Sequence, residues 1–268
     1  MGDAMGFTDI TYEKRNGIAV ITFVREESRN AVRHQTWMDL KGALGLCRED
    51  QEVRAVVITG RGKAFSAGAD LAEMGEILGG QVDLFKVREG LLEIQAITEA
   101  MIGLPKPIVA ALNGYAVGAG AEIAIASDIR IASEKATFEF AEVKVGLFET
   151  NGVTYLLPRI VGHGRARELM LTGRRIDAVE AYSIGLVSRV VSAESLMDEA
   201  LKTAEQMAQN APVSMALVKE CLNKSGEIAL SDALVYETEA MMACAMTADA
   251  REGAMAFIEK RKPLYKGR

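Results

Sequence analysis

Three short apolar runs, separated by segments of helix length, constrain this chain more than any other feature. Residues 17–24 (GIAVITFV), 54–59 (RAVVIT) and 108–112 (IVAAL) are compact and largely β-branched, the composition of a buried strand. Between the first two, Trp37, Leu40, Leu44 and Cys47 recur at helical spacing within residues 31–47. Between the second and third, Leu84, Val87, Leu91 and Ile94 do the same, and Pro105 and Pro107 end that helix. Asn113-Gly114 turns the chain after the third run; a helix is expected over residues 118–127 and short strands over 128–132 and 137–140. Strands alternating with helices specify an α/β core. Beyond about residue 150, helical patterns take over. Asp177 and Glu180 form a capping box, Gly185 is a stop signal, and residues 185–191 read as a last strand. We therefore divide the chain into an α/β core over residues 1–195 and a helical C-terminal region over residues 196–268. Met241, Met242, Met246 and Met255 in that region suit an adaptable apolar surface, packed into the core first of all, with a subunit interface as the second reading.

Composition removes whole classes of function. The 268 residues are 49% hydrophobic and 25% charged, which excludes wholesale disorder. Two histidines, His34 and His163, cannot build a three-histidine zinc site, and no CxxC, HExxH or EF-hand spacing occurs. Cys47, Cys221 and Cys244 lie far apart in apolar helical surroundings and read as buried thiols of a reducing compartment. A net charge of -6, with no long basic run, speaks against nucleic acid. The opening MGDAMGFTDITYEK carries acids and no apolar core, so it is not a signal peptide, and no charge-free run reaches the roughly 18 residues of a membrane span. A cytoplasmic protein is expected. No GxSxG elbow is present, so acid–base work falls to carboxylates, lysines or tyrosines.

Two strand-to-loop transitions are the candidate ligand site: residues 64–71 (AFSAGADL) and residues 113–128 (NGYAVGAGAEIAIASD). Ligands of open α/β sheets gather beyond the carboxyl ends of strands, and small residues there expose backbone N–H groups at close range. Neither loop is a dinucleotide or phosphate fingerprint: position 123 is Ile, and Gly60-Arg61-Gly62-Lys63 lacks the required spacing. Glu122 falls in the first turn of the expected helix. It is either a carboxylate favoured by the helix dipole or, within AGAEIAIA, a desolvated acid–base group. On pattern alone, Glu142 is one exposed acid among Glu134, Glu139 and Glu149.

The segments GIAVITF, AFSAGADL, KPIVAALNGYAVGAGAEIAIASDIRIAS, LTGRRIDAVEAYSIGLVSRVV and EGAMAFIEKRKP resemble, in order and over nearly the whole chain, the blocks of the enoyl-CoA hydratase/isomerase (crotonase) superfamily. The resemblance implies a spiral of ββα units followed by a helical trimerisation region, in a homotrimer or a dimer of trimers. It implies an acyl-CoA thioester substrate, with coenzyme A as part of that substrate and no other cofactor or metal. Two backbone N–H groups would hold the thioester oxygen as an enolate forms, at the matching positions Ala67 and Ala119, each donor being worth roughly 2.7–4 kcal/mol. Glu122 and Glu142 match the two hydratase carboxylates, which would flank a water adding across C2–C3 of a trans-2-enoyl-CoA. Arg29, Ala31, Gly68, Asp70, Leu71, Phe257 and Lys260 match coenzyme A-binding positions, the last two often supplied by a neighbouring subunit. The chain departs from the pattern in two places: Glu142 follows Ala141 instead of proline, and Glu149-Thr150 replaces a proline-glycine pair bordering the site. Glu149 is thus an extra candidate pocket acid. Isomerisation or another enolate reaction is the enzymatic alternative, and a catalytically weak coenzyme A-binding or assembly protein is the alternative outside catalysis.

Overall fold

The computed structural model describes residues 6–80 and 82–268, the Leu78 side chain excepted; the first residues of the N-terminal stretch lie outside the description. In chain order the strands are β1 (Ile10–Arg15), β2 (Ile18–Phe23), β3 (Ala55–Gly60), β4 (Ala64–Ser66), β5 (Ile108–Leu112), β6 (Tyr115–Val117), β7 (Ile129–Ser133), β8 (Thr137–Glu139), β9 (Ile176–Asp177) and β10 (Arg189–Val191). They form a six-stranded sheet, β1-β2-β3-β5-β7-β10, and a four-stranded sheet, β4-β6-β8-β9. Only β1/β2 and β8/β9 pair antiparallel.

The topology is a spiral. Three strands of the larger sheet pass through a tight turn into a short strand of the smaller one: β3 into β4, β5 into β6, β7 into β8. Helices carry the chain back. α1 (His34–Glu49) links β2 to β3; α2 (Leu71–Leu78) and α3 (Leu84–Ile102) link β4 to β5; α4 (Ala119–Ala126) links β6 to β7. The three apolar runs are therefore strands β2, β3 and β5. The sequence reading missed β1, where ITYEKR buries fully only Ile10, and placed β4 and β6 inside loops because three residues are too few to show a period.

Alternation along the long strands divides their side chains between two cores. Ala19, Ile21 and Phe23, then Val56 and Ile58, then Ile108, Ala110 and Leu112 point into the main core with Trp37, Leu40 and Phe65. Ile18, Val20, Ala55, Val57, Val109 and Ala111 point to the opposite face. There α8 (Leu196–Ala208) lays Leu196, Ala200 and Ala204 across the sheet. Before α8 come α5 (Val153–Val161), α6 (His163–Thr172) and α7 (Ala178–Ser183), the last capped by the Asp177 carboxylate on Glu180 N–H, as the capping pattern predicts.

The C-terminal helices α9 (Pro212–Lys224), α10 (Leu230–Ala245) and α11 (Ala248–Ile258) are held differently. Lys219 of α9 is buried and donates to the carbonyls of Met101 and Lys106 and to the Asp128 carboxylate. Met241, Met242, Met246 and Met255 are exposed in the chain, so core packing does not account for them. Cys47 is fully buried, while Cys221 and Cys244 are only partly so, and all three are free. Among the described residues, no helix is long and apolar enough to cross a membrane.

The Lys219 ammonium is the polar tie between α9 and the core. We expect Lys219→Met to lower unfolding free energy by roughly 2–3 kcal/mol, because Asp128 loses its cation and two carbonyls each lose one donor, as measured by urea denaturation.

Candidate active site

The two glycine-bearing loops meet at the carboxyl ends of the strands. Gly68, at φ 95°, lies so near β6 that a Cβ there would sit 2.8 Å from the Val117 carbonyl oxygen. A Cβ on Gly120 would sit 2.6 Å from the Ser66 carbonyl oxygen. Gly118, at φ 46°, is the N-cap of α4, and its N–H donates to the Glu139 carbonyl. These contacts require glycine, because any side chain would force the loops apart.

Each loop offers one free N–H to the space between them. Ala119 is the first residue of α4, where a helix leaves its N–H groups unpaired, and nothing among the described residues accepts from it. The left-handed conformation falls on Gly118, so a methyl group at 119 is tolerated. On the other loop the structure corrects the expected donor. Ala67 N–H already donates to the Arg29 carbonyl at 3.0 Å. The free group is Ala69 N–H. Val32 N–H donates to the Gly68 carbonyl and Asp70 N–H to the Val32 carbonyl, a parallel bridge in which Ala69 directs its own N–H to the other side. The motif alone does not separate these two alanines; the bridge to Val32 does.

Three carboxylates lie beside that space. Glu122 on α4 is 3% exposed, Glu149 is 4% exposed, and Glu142 opens the short helical turn Glu142–Val145. One oxygen from each lies within 4.8 Å of the others. Glu142 is therefore not the exposed acid that pattern alone implied; its Oε2 is buried without a partner, and its Oε1 lies 2.6 Å from where a Cβ on Gly118 would be. Glu139, also read as exposed, is buried and pairs with Lys144 and Arg175.

The three acids differ in what holds them. Glu122 accepts from Thr150 N–H at 3.0 Å and from Asn151 Nδ2, with Thr150 Oγ1 at 3.4 Å. Burial still pushes its pKa upward, against the pull of those donors. Glu149 has no donor on either oxygen, and burial, followed by the adjoining Glu142 and Glu122 carboxylates, pushes its pKa up to about 9. Among the described residues, no lysine, arginine or histidine pairs with any of the three. Their spacing would also suit a cation bound through oxygen ligands.

The remaining expected residues fall into two groups. Arg29 and Ala31 flank the first loop; Arg29 is left-handed, and its guanidinium lies 6.0 Å from the Tyr115 ring centroid. Asp70 is committed elsewhere: its carboxylate caps α2 and pairs with Arg25 at 2.9 Å, so it shapes the loop and its side chain is not free for a ligand. Leu71 is exposed at the start of α2. Phe257, 86% exposed, and Lys260 lie at the end of α11, with no contact to the carboxylates. Thr150 and Asn151, which hold Glu122, were missed as site residues; the residue types of TNG carry no signal that its amides face a buried acid.

Known proteins match the chain over nearly its whole length. The family described as enoyl-CoA hydratase/isomerase matches residues 13–268. The chain is 39% identical to the short-chain-enoyl-CoA hydratase of Clostridium acetobutylicum, covering 96% of this chain and 97% of that protein. It is 36% identical to the crotonyl-CoA hydratase of Syntrophomonas wolfei, over 96% and 98% of the two chains. The crystal structure of enoyl-CoA hydratase from Bacillus anthracis superposes with a TM-score of 0.92 at 36% identity, covering 97% of this chain and 100% of that one.

The raised pKa of Glu149 has a consequence for stability. Folding takes up a proton at Glu149, so its contribution is fully present below the ordinary carboxylate range and is lost as pH rises toward about 9. We expect Glu149→Gln to raise Tm at pH 8 by about 2–4 °C, the effect of ~1 kcal/mol in a chain of this size, with the gain vanishing near pH 4. Thermal unfolding across that range measures it.

Proposed function

The chain belongs to the enoyl-CoA hydratase/isomerase family, and we propose that it adds water across the C2–C3 double bond of a trans-2-enoyl-CoA, giving a 3-hydroxyacyl-CoA. The observation that carries this reading is the pairing of Glu122 with Glu142, within 4.8 Å, beside two free backbone N–H groups.

In this reading the thioester oxygen sits between Ala69 N–H and Ala119 N–H. As water attacks C3, negative charge moves onto that oxygen, and the two fixed dipoles stabilise it without reorganising. Glu122, oriented by Thr150 and Asn151, takes a proton from the water, and Glu142 delivers one to C2. Coenzyme A belongs to the substrate, and no other cofactor has a step. Arg29, Ala31, Gly68 and Leu71 border the thioester's path, with Asp70 supporting the loop. Phe257 and Lys260 reach a nucleotide end only from an adjacent copy of the chain. The exposed apolar residues of α10 and α11, among them Leu234, Val235, Met241, Met242, Phe257 and Ile258, supply the surface for a homotrimer or a dimer of trimers. The division into a core over residues 1–195 and an oligomerisation region over 196–268 belongs to this proposal, with α8 shared by both because it covers the large sheet. The cytoplasm and fatty-acyl metabolism are the setting this chemistry fits.

Double-bond isomerisation is the second reading, favoured by Glu149, which adds another acid to the pair. A binding protein without catalysis has no use for two carboxylates kept buried at a cost to stability.

Incubation with crotonyl-CoA should consume the enoyl thioester absorbance and yield 3-hydroxybutyryl-CoA, with Glu122→Gln and Glu142→Gln each slower by about 10²–10⁴-fold. Isomerisation without water incorporation would favour the second reading. Binding of coenzyme A esters without turnover would favour the non-catalytic one.

The donor assignment has its own test. Replacing Ala69 or Ala119 by its α-hydroxy analogue, an amide-to-ester exchange, deletes one N–H and keeps the side chain. We expect kcat to fall by about 10²–10³-fold at either position and to change little at Ala67.

A further inference from the structure

The hydration proposed above leaves its two carboxylates in exchanged protonation states. Glu122 ends with a proton taken from water, and Glu142 ends having given one to C2. The next turnover therefore requires one proton to travel from Glu122 to Glu142. Bulk water is a poor route out of Glu122, which is 3% exposed.

Glu149 stands where a shorter route would run. An oxygen of Glu149 lies within 4.8 Å of an oxygen of Glu122 and of one of Glu142, a gap that one bridging water or a small side-chain rotation closes. Both Glu149 oxygens are buried and unpartnered. Its backbone directly precedes Thr150 and Asn151, the residues that hold Glu122, so the segment that orients the first acid also places the third. The titratable groups facing it are Glu122 from α4 and Glu142 from the turn at Glu142–Val145; no cation competes for its proton among the described residues.

A carboxyl group with two free oxygens can accept a proton on one and release a different proton from the other. An amide of the same shape cannot. We propose that Glu149 is the proton relay that resets the site after each hydration, a role that rests on the hydratase reading. The step balances. The O–H bond of Glu122 breaks as its proton binds one Glu149 oxygen, and the proton already on the other Glu149 oxygen passes to Glu142. Glu149 ends neutral, with its proton now on the oxygen facing Glu122, and a half-turn of the carboxyl group restores the starting arrangement. One proton has moved from Glu122 to Glu142, and no electron and no solvent proton is involved.

Pre-steady-state kinetics on the full-length protein separate this role from a structural one. With crotonyl-CoA in excess, Glu149→Gln should complete its first turnover at the wild-type rate and then slow by about 10²-fold, giving a burst of one product per site. Glu149→Ala should show the same burst, and added formate, but not chloride, should restore its steady-state rate. Thermal unfolding of both variants confirms that each is folded. Equal slowing of first and later turnovers would overturn the relay and make Glu149 a packing residue. Unchanged kinetics in both phases would overturn it while leaving hydration intact. If the wild-type protein turns over no trans-2-enoyl-CoA at all, the hydratase reading itself fails and the relay falls with it.

Discussion

The contact between the two glycine-bearing loops sets the geometry of everything around it. Gly68 against the Val117 carbonyl and Gly120 against the Ser66 carbonyl bring two chain segments to a separation that a single methyl group would prevent. That approach puts the free N–H of Ala69 beside the free N–H at the start of α4. It also seats Gly118 against the Glu142 carboxylate. The spiral serves this contact, because each tight turn from the large sheet to the small one delivers a short strand, β4 or β6, whose end is one of the loops. The large sheet, packed on both faces, is the rigid body from which these ends project.

How much of this was legible depended on which physical signal each part leaves. Strands β2, β3 and β5 and helices α1, α3 and α4 were readable, since buried runs and helical spacing follow from packing on one or two faces. The short strands β4 and β6 were not, because they are held by pairing with one another and with β8 and not by their own pattern. Glu122 was readable from its apolar neighbours within α4. Glu142 and Glu149 were not readable from pattern, and only the family resemblance pointed to them, since their flanking Val143, Val145, Leu147 and Phe148 are exposed and the two acids are enclosed by tertiary approach. The donor on the first loop shows the limit most sharply. Ala67 and Ala69 are chemically alike, and only the bridge to Val32 decides which N–H is free.

The buried acids impose an electrostatic constraint of their own. Three ionised carboxylates within 4.8 Å and without a cation would repel one another strongly in so dry a pocket. Unequal hydrogen bonding relieves the conflict. Glu122 receives the Thr150 N–H and the Asn151 amide, which favour its ionised form, while Glu149 receives nothing and is most stable as the neutral acid. Two donors on one short segment thus assign Glu122 the environment better suited to charge, although burial still pushes its pKa upward, and their absence one residue earlier leaves Glu149 the neutral acid.

That assignment matters for an enolate. Charge developing on a thioester oxygen would be opposed by each ionised carboxylate nearby and favoured by each N–H aimed at it. With Glu149 neutral, the third acid adds no full negative charge beside Glu122, the group the proposed reaction uses as base. Once Glu122 takes the proton from water, its charge disappears as the enolate's appears, so the pocket's net charge stays constant through the step. A third acid at position 149 thus need not disturb hydration in the way that a third anion would. The same burial that raises its pKa makes it compatible with the site.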